Sequence, residues 1–157
     1  MTQPDEINGQ AVLRDYPLRL WARQQEHDQE VLREFKLLLL GKKSGQTTTE
    51  APAQLVAMSD MFDRDHGPLI ERITAERQAA LDAGADRMDS AVPMLPNIGA
   101  LLDQVRDVLF AVDEYCRGGD MLSLARPREL VELYDWTSQE ILAQQDGAEP
   151  RPWPGPF

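Results

Sequence analysis

The chain has 157 residues, with 16 Lys and Arg against 27 Asp and Glu, for a formal net charge of −11. That length suits one domain able to bury its own core without staples, and the lone Cys116 cannot close an internal disulfide. The carboxylate excess repels phosphate backbones and anionic bilayers over most of the surface, which argues against nucleic acid and membrane headgroups as partners.

In chain order, residues 1–15 are polar and predict a flexible N-terminal segment. "MTQPDEINGQ" has no basic start followed by an apolar run. Apolar runs such as Leu37 to Leu40 fall far short of the roughly 20 residues that span a bilayer, so a cytoplasmic protein with no membrane segment is expected. Pro17 opens a first helix, "PLRLWARQQEHDQEVLREFKLLLLGKK", which ends at Gly41 and two lysines. Residues 42–53 read as a polar linker. Beyond it Leu55, Met58, Phe62, Leu69 and Ile73 recur at helical spacing, interrupted by Gly67-Pro68, which predicts a kinked or split second helix.

"SAVPMLP", residues 90–96, carries two prolines and predicts an extended connector. Ile98, Leu101, Leu102, Val105, Val108, Leu109, Val112 and Cys116 then form the cleanest apolar stripe, a third helix whose Leu102, Val105, Leu109 and Val112 are expected in the core. Gly118-Gly119 stops it, and Pro127 with Glu129 starts a fourth helix running to about Gln145. No stretch alternates with period two for long enough to make a sheet. The expectation is an all-α fold: an antiparallel, up-down bundle of about four helices over residues 16–147, followed by an extended Pro-rich tail at 148–157. In that tail, "DGAEPRPWPGPF", Trp153 either packs back onto the bundle, stays in a disordered end, or serves as a docking motif.

Few residues offer chemistry. His27 lies in "RQQEHDQE", with Glu30 on a similar face; the stretch reads as a solvated helix face, or else as polar groups lining a cavity, each then requiring a partner. His66, three residues after Asp63, continues the stripe of Phe62 and reads as a half-buried histidine near the kink. His27, Glu30, Asp63 and His66 are therefore the candidate polar site. Glu-x-x-His, the signature of metal sites in bundles, does not occur, so no metal and no cofactor is expected. The carboxylate pairs Glu26 with Glu30 and Glu129 with Glu132 have roughly the spacing used by helical metal-dependent nucleotide hydrolases, but so acidic a chain generates such pairs by chance. "CRGGDM" reads as a helix C-terminus rather than a phosphate loop, and Cys116 as a buried, inert thiol. No serine has an evident histidine partner. The chain is not expected to be an enzyme.

The segments "DYPLRLWARQQEHDQEVLREFKLL", "YCRGGDMLSLARPRELVELYDWTSQEI" and "PRPWPGPF" resemble a little-characterised bacterial all-helical family encoded beside partner-switching regulators. The resemblance covers most of the chain apart from residues 42–53 and 75–95. It implies a non-enzymatic regulatory or adaptor protein in sigma-factor control, whose partner is an anti-sigma-factor kinase, a STAS-domain protein or a PP2C-type phosphatase. The rival class is a small-ligand sensor bundle. For the protein-contact reading, Trp21, Phe35, Leu38, Trp136 and Trp153 are the candidate interaction residues. The end of the first helix is apolar on more sides than one core contact requires, so a homodimer is expected there.

Overall fold

A computed structural model of the chain describes residues 9–41, 50–118 and 121–157. Among these, the element order is β1 (Gln10–Pro17), α1 (Leu18–Leu40), α2 (Glu50–Asp82), β2 (Arg87–Pro93), α3 (Ile98–Gly118) and α4 (Arg128–Gln145). The protein is mostly helical, as the periodicities predict. It is not purely all-α, because β1 and β2 pair as a two-stranded antiparallel sheet.

That sheet corrects the expectation of a flexible start. Residues 1–8 lie outside the described residues, but Gln10 to Pro17 form a strand whose Ala11 and Leu13 are fully buried. Gln10 to Leu13 pair with Pro93 to Ser90 in sequence; the register then shifts before Tyr16 meets Met88. Arg14 and Asp15 together oppose the one residue Asp89, so this is a β-bulge. Asp15 takes the left-handed φ of 52° that the bulge needs, and its amide donates to Asp89 Oδ1 at 3.0 Å. The bulge turns Tyr16 inward beside Leu13's face, which interrupts the alternation that would have marked a strand.

Strand β1 runs straight into α1. Pro17 is the extended residue before the helix (φ −78°, ψ 103°), and the Leu18 amide donates to Asp86 O across the sheet's end. The expected linker at 42–53 is shorter at its far end: residues 42–49 lie outside the described residues, while 50–53 already belong to α2. Helix α2 continues through Gly67 and Pro68 as one element, not as two. The "SAVPMLP" connector is extended as expected, and part of it is β2. Pro127 caps α4 in extended geometry (φ −65°, ψ 160°), and its carbonyl accepts the first amide, from Leu130. No helix among the described residues is long and apolar enough to cross a membrane.

Two apolar cores result. The larger one gathers the sheet, the start of α1, and α4: Leu13, Tyr16, Leu18, Trp21, Leu130, Leu133 and Trp153 are among its buried members. The smaller one lies near the other end of α1 and joins Val31 and Phe35 to Val112 and Cys116. Phe35 and Tyr115 meet edge to face there, centroids 5.5 Å apart. Val112 is buried as expected, whereas Leu102, Val105 and Leu109 are only half-buried. For the last two the reason is a cavity between the cores.

The Pro-rich tail belongs to the larger core. Trp153 is buried, stacks edge to face on Trp136 at 5.2 Å, and donates its own amide to Arg14 O at 3.0 Å. Its indole N–H donates to Pro156 O, so the tail curls round the ring. A Cβ at Gly155 would lie 2.6 Å from that ring, so the curl requires glycine there. Arg151 donates to buried Glu140 through both Nε (3.1 Å) and its amide (3.3 Å). Between these contacts Gln144 pairs with β1 like a strand residue: Oε1 accepts from Val12 N at 2.8 Å and Nε2 donates to Val12 O at 2.9 Å.

Candidate functional site

The polar middle of α1 faces the gap between the cores, where a cavity of about 280 Å³ opens. Val31, Leu32, Met58, Phe62, Val105 and Leu109 give it mainly apolar walls. Polar members come from each surrounding element: Gln24, His27 and Asp28 from α1, Ser59 and Asp63 from α2, Asp113 from α3, Arg126 from the segment before α4, and Tyr134 from α4. The volume is near the lower edge of small-molecule sites, roughly 300–1,000 Å³. The cavity is open at one side, where Asp63 and Ile70 are exposed, and its apolar walls are enclosed less fully than an ordinary core.

Three of its polar groups, Asp113, Arg126 and Tyr134, are engaged within the protein. Asp113 and Arg126 are both buried, their side chains 3% and 5% exposed. Arg126 Nε and Nη2 donate to Asp113 Oδ2 at 3.0 and 2.8 Å, and the Arg126 amide donates to Oδ1 at 3.0 Å. The two charges therefore compensate inside the protein, as a buried pair must. Tyr134 donates its hydroxyl to Leu102 O at 2.7 Å, and burial raises its pKa. The segment between α3 and α4 is held again by Glu34, whose two oxygens accept the amides of Leu122 and Ser123, both at 2.7 Å. Burial pushes the Glu34 carboxyl up, but the bonds from Ser123 and from those amides outweigh it and leave the group below its ordinary range.

His27 is different. Its Nε2 lies 2.7 Å from Leu124 O, and a carbonyl only accepts, so Nε2 carries a proton. Nδ1 stands 3.7 Å from Asp28 Oδ1, beyond hydrogen-bond length, and has no hydrogen-bond partner among the described residues. Asp28 holds the ring above the ordinary histidine range, against the burial that would lower it, with the Leu124 carbonyl adding to the rise. On the neutral ring Nδ1 is an unused acceptor at a buried position.

The cavity thus brings together two of the four polar candidates, His27 and Asp63. His27 lines a cavity instead of a solvated face, because the segment before α4 covers it from far along the chain. Glu30 is exposed on α1 and does not line the cavity. His66 is half-buried as expected and lies against Phe62, centroids 6.0 Å apart, outside the lining. Of the interaction candidates, Trp21, Phe35 and Trp153 are buried in this chain's own cores, and Trp136 is half-buried between Tyr16 and Trp153. Those four aromatics are used in the chain's own packing, and for Trp153 this is the packed-back alternative. Leu38 is half-buried, while its neighbours Leu37 and Leu40 are 63% and 78% exposed. The carboxylates Glu26, Glu129 and Glu132 are exposed, the last two near Arg23 and Arg128, and among the described residues no three metal-ligating side chains converge. Cys116 is buried, and burial raises its thiol pKa.

Asp113 and Arg126 were missed in the sequence. The signal for Asp113 was present: it stands four residues after Leu109 and three before Cys116, an acid set among stripe positions. Arg126 lies outside any periodic segment and gave none. Compared with family models, curated proteins and solved structures, the chain matches none.

Proposed function

We propose that this chain is a non-enzymatic regulatory protein whose interhelical cavity binds a small molecule. The observation that carries the proposal is the 280 Å³ apolar cavity with His27 in its lining, the one ring there with an unused buried nitrogen. Unfilled apolar space and an unpaired polar atom each cost stability, and a ligand that fills the first and pairs the second recovers both. Among the described residues Ser59 shares the lining but is not hydrogen-bonded to His27, and no three metal-ligating side chains converge, which favours binding over turnover.

The test is a thermal-shift screen of small molecules against the whole chain and against Leu109→Trp, which fills the cavity. A ligand present at about 100 times its Kd adds about 2.7 kcal/mol of stability, a rise of roughly 5 °C or more for a chain of this size. The expected result is a compound that stabilises the natural chain and not Leu109→Trp. A screen in which no compound separates the two overturns the reading.

The partner-switching reading is favoured by a different observation, the exposed leucines Leu37 and Leu40 at the end of α1 and Leu122 and Leu124 in the segment that covers His27. On this proposal the cavity's occupant changes how that surface meets a second copy or a regulator of the anti-sigma-factor kinase, STAS or PP2C class. A homodimer closed over Leu37 and Leu40 sediments as a dimer at micromolar concentration, and Leu40→Glu returns it to a monomer; a monomer in both cases removes the dimer.

A further inference from the structure

Resting on the ligand-binding reading above, the class of ligand follows from the charges round the cavity. Its carboxylates are Asp28, Asp63 and Asp113; against them stand Arg126 and, when protonated, His27. Arg126 is committed to Asp113 by three hydrogen bonds, so that pair presents little net charge to an occupant. What remains is two carboxylates and one imidazole. With His27 neutral, an anionic ligand would bring a third negative charge into a partly desolvated site where, among the described residues of the lining, no uncommitted cation meets it.

The acceptors also point one way. His27 has its proton fixed on Nε2 by Leu124 O, which makes Nδ1 of the neutral ring an acceptor, and 3.7 Å from it Asp28 Oδ1 is another. Two acceptors at that separation both come within about 2.9 Å of one donor placed between them. Nδ1 is closed to water as it stands, so a donor enters between the two with a small shift of Asp28, whose side chain is 44% exposed. We infer that the cavity takes a small apolar amine in its cationic form, its ammonium shared between His27 Nδ1 and the Asp28 carboxylate and its hydrocarbon body against Leu32, Met58, Phe62 and Leu109.

The same geometry sets the pH dependence. The charged groups that line the cavity with His27 are Asp28 on its own helix, Asp63 on α2, and Asp113 on α3 with its partner Arg126, while Tyr134 on α4 adds a neutral hydroxyl. Protonated His27 turns Nδ1 from acceptor to donor and adds positive charge beside the ammonium. Amine affinity therefore falls as the pH drops through the histidine titration, although the ligand's own charge is constant across that range.

The experiment is calorimetric titration of the whole chain with three probes of one shape: phenethylamine, phenethyl alcohol and phenylacetate. The expected order is amine tightest and phenylacetate weakest, the two separated by about ten- to hundredfold, as for hydrogen bonds to charged groups. Asp28→Asn should remove most of that preference, weakening the amine far more than phenethyl alcohol, and His27→Gln should remove the pH dependence. Because His27→Gln also touches the Leu124 contact, Asp28→Asn is the deciding variant if the former fails to fold. Phenylacetate binding as tightly as the amine overturns the charge class and leaves ligand binding standing. Binding of none of the three overturns this inference, while the broader reading is decided by the library screen. An amine preference unchanged in Asp28→Asn overturns the assigned site.

Discussion

The sheet end and the cavity end of this molecule draw on the same long helix α1, yet they treat space and polar groups differently. Around β1, apolar side chains are fully enclosed and the strand's second edge is paired, Val12 with Gln144 and Arg14 with Trp153. Around His27, the walls are half-buried, a cavity of about 280 Å³ persists, and a buried ring nitrogen goes unpaired. Enclosed packing at one end supplies stability that the less filled end does not, and on the proposed reading that less filled end is where the ligand binds.

The sharpest way to break the comparison is Trp153→Ala. The tail then loses its anchor on Trp136, and about 3–5 kcal/mol of unfolding free energy should go, as for other large aromatic deletions in cores; a loss under about 1 kcal/mol in urea unfolding would make the tail an accessory. Next comes a matched pair of leucines. Leu13→Ala at the filled end should cost about 2–5 kcal/mol, and Leu109→Ala, whose side chain already borders open space, about 1–2 kcal/mol. Equal costs would mean the two ends are packed alike. Gln144→Leu should cost about 1–3 kcal/mol because it strands the Val12 amide and carbonyl, and hydrogen exchange at Val12 should rise with it.

The smallest effect is in the pH dependence of the cavity end. His27, raised by Asp28, contributes stability that is fully present below its ordinary value of 6.5 and is lost as pH rises through the higher folded value. Glu34, lowered by the bonds from Ser123 and Leu122, contributes stability present above its ordinary value of 4.5 and lost as pH falls through the lower folded value. Urea midpoints should therefore decline slightly from about pH 6 to about pH 8, and His27→Gln should flatten that decline. A midpoint that rises over the same interval in the natural chain would contradict the Asp28 effect.

The same contrast separates what was legible in the sequence from what was not. Helices α3 and α4 could be read because their stripes are long and their ends carry Pro127 and Gly118. Strand β1 could not, because its alternation lasts only from Ala11 to Leu13 before the bulge at Arg14 and Asp15 resets it, and a propensity reading sees no partner 70 or more residues away. The carboxylate-rich middle of α1 reads as a solvated face on its own helix. It becomes a cavity wall only because Glu34 and His27 hold the segment before α4 over it, contacts made across 88 to 97 positions. The aromatics give the converse lesson: Trp21, Phe35 and Trp153 are large enough to suggest an interface, and the chain spends all three on its own cores.

Gln144 and Trp153 have one more consequence, which concerns crowding rather than stability. A two-stranded sheet exposes two rows of amides and carbonyls, each a template for strand addition by a neighbouring molecule. On β1 that row is occupied from within, by a side-chain amide that imitates a peptide group and by a proline-flanked tail with few donors of its own. At high concentration an edge occupied at Val12 and Arg14 offers other chains less to copy, and the prolines at 152 and 154 keep the covering segment from becoming a template in its turn.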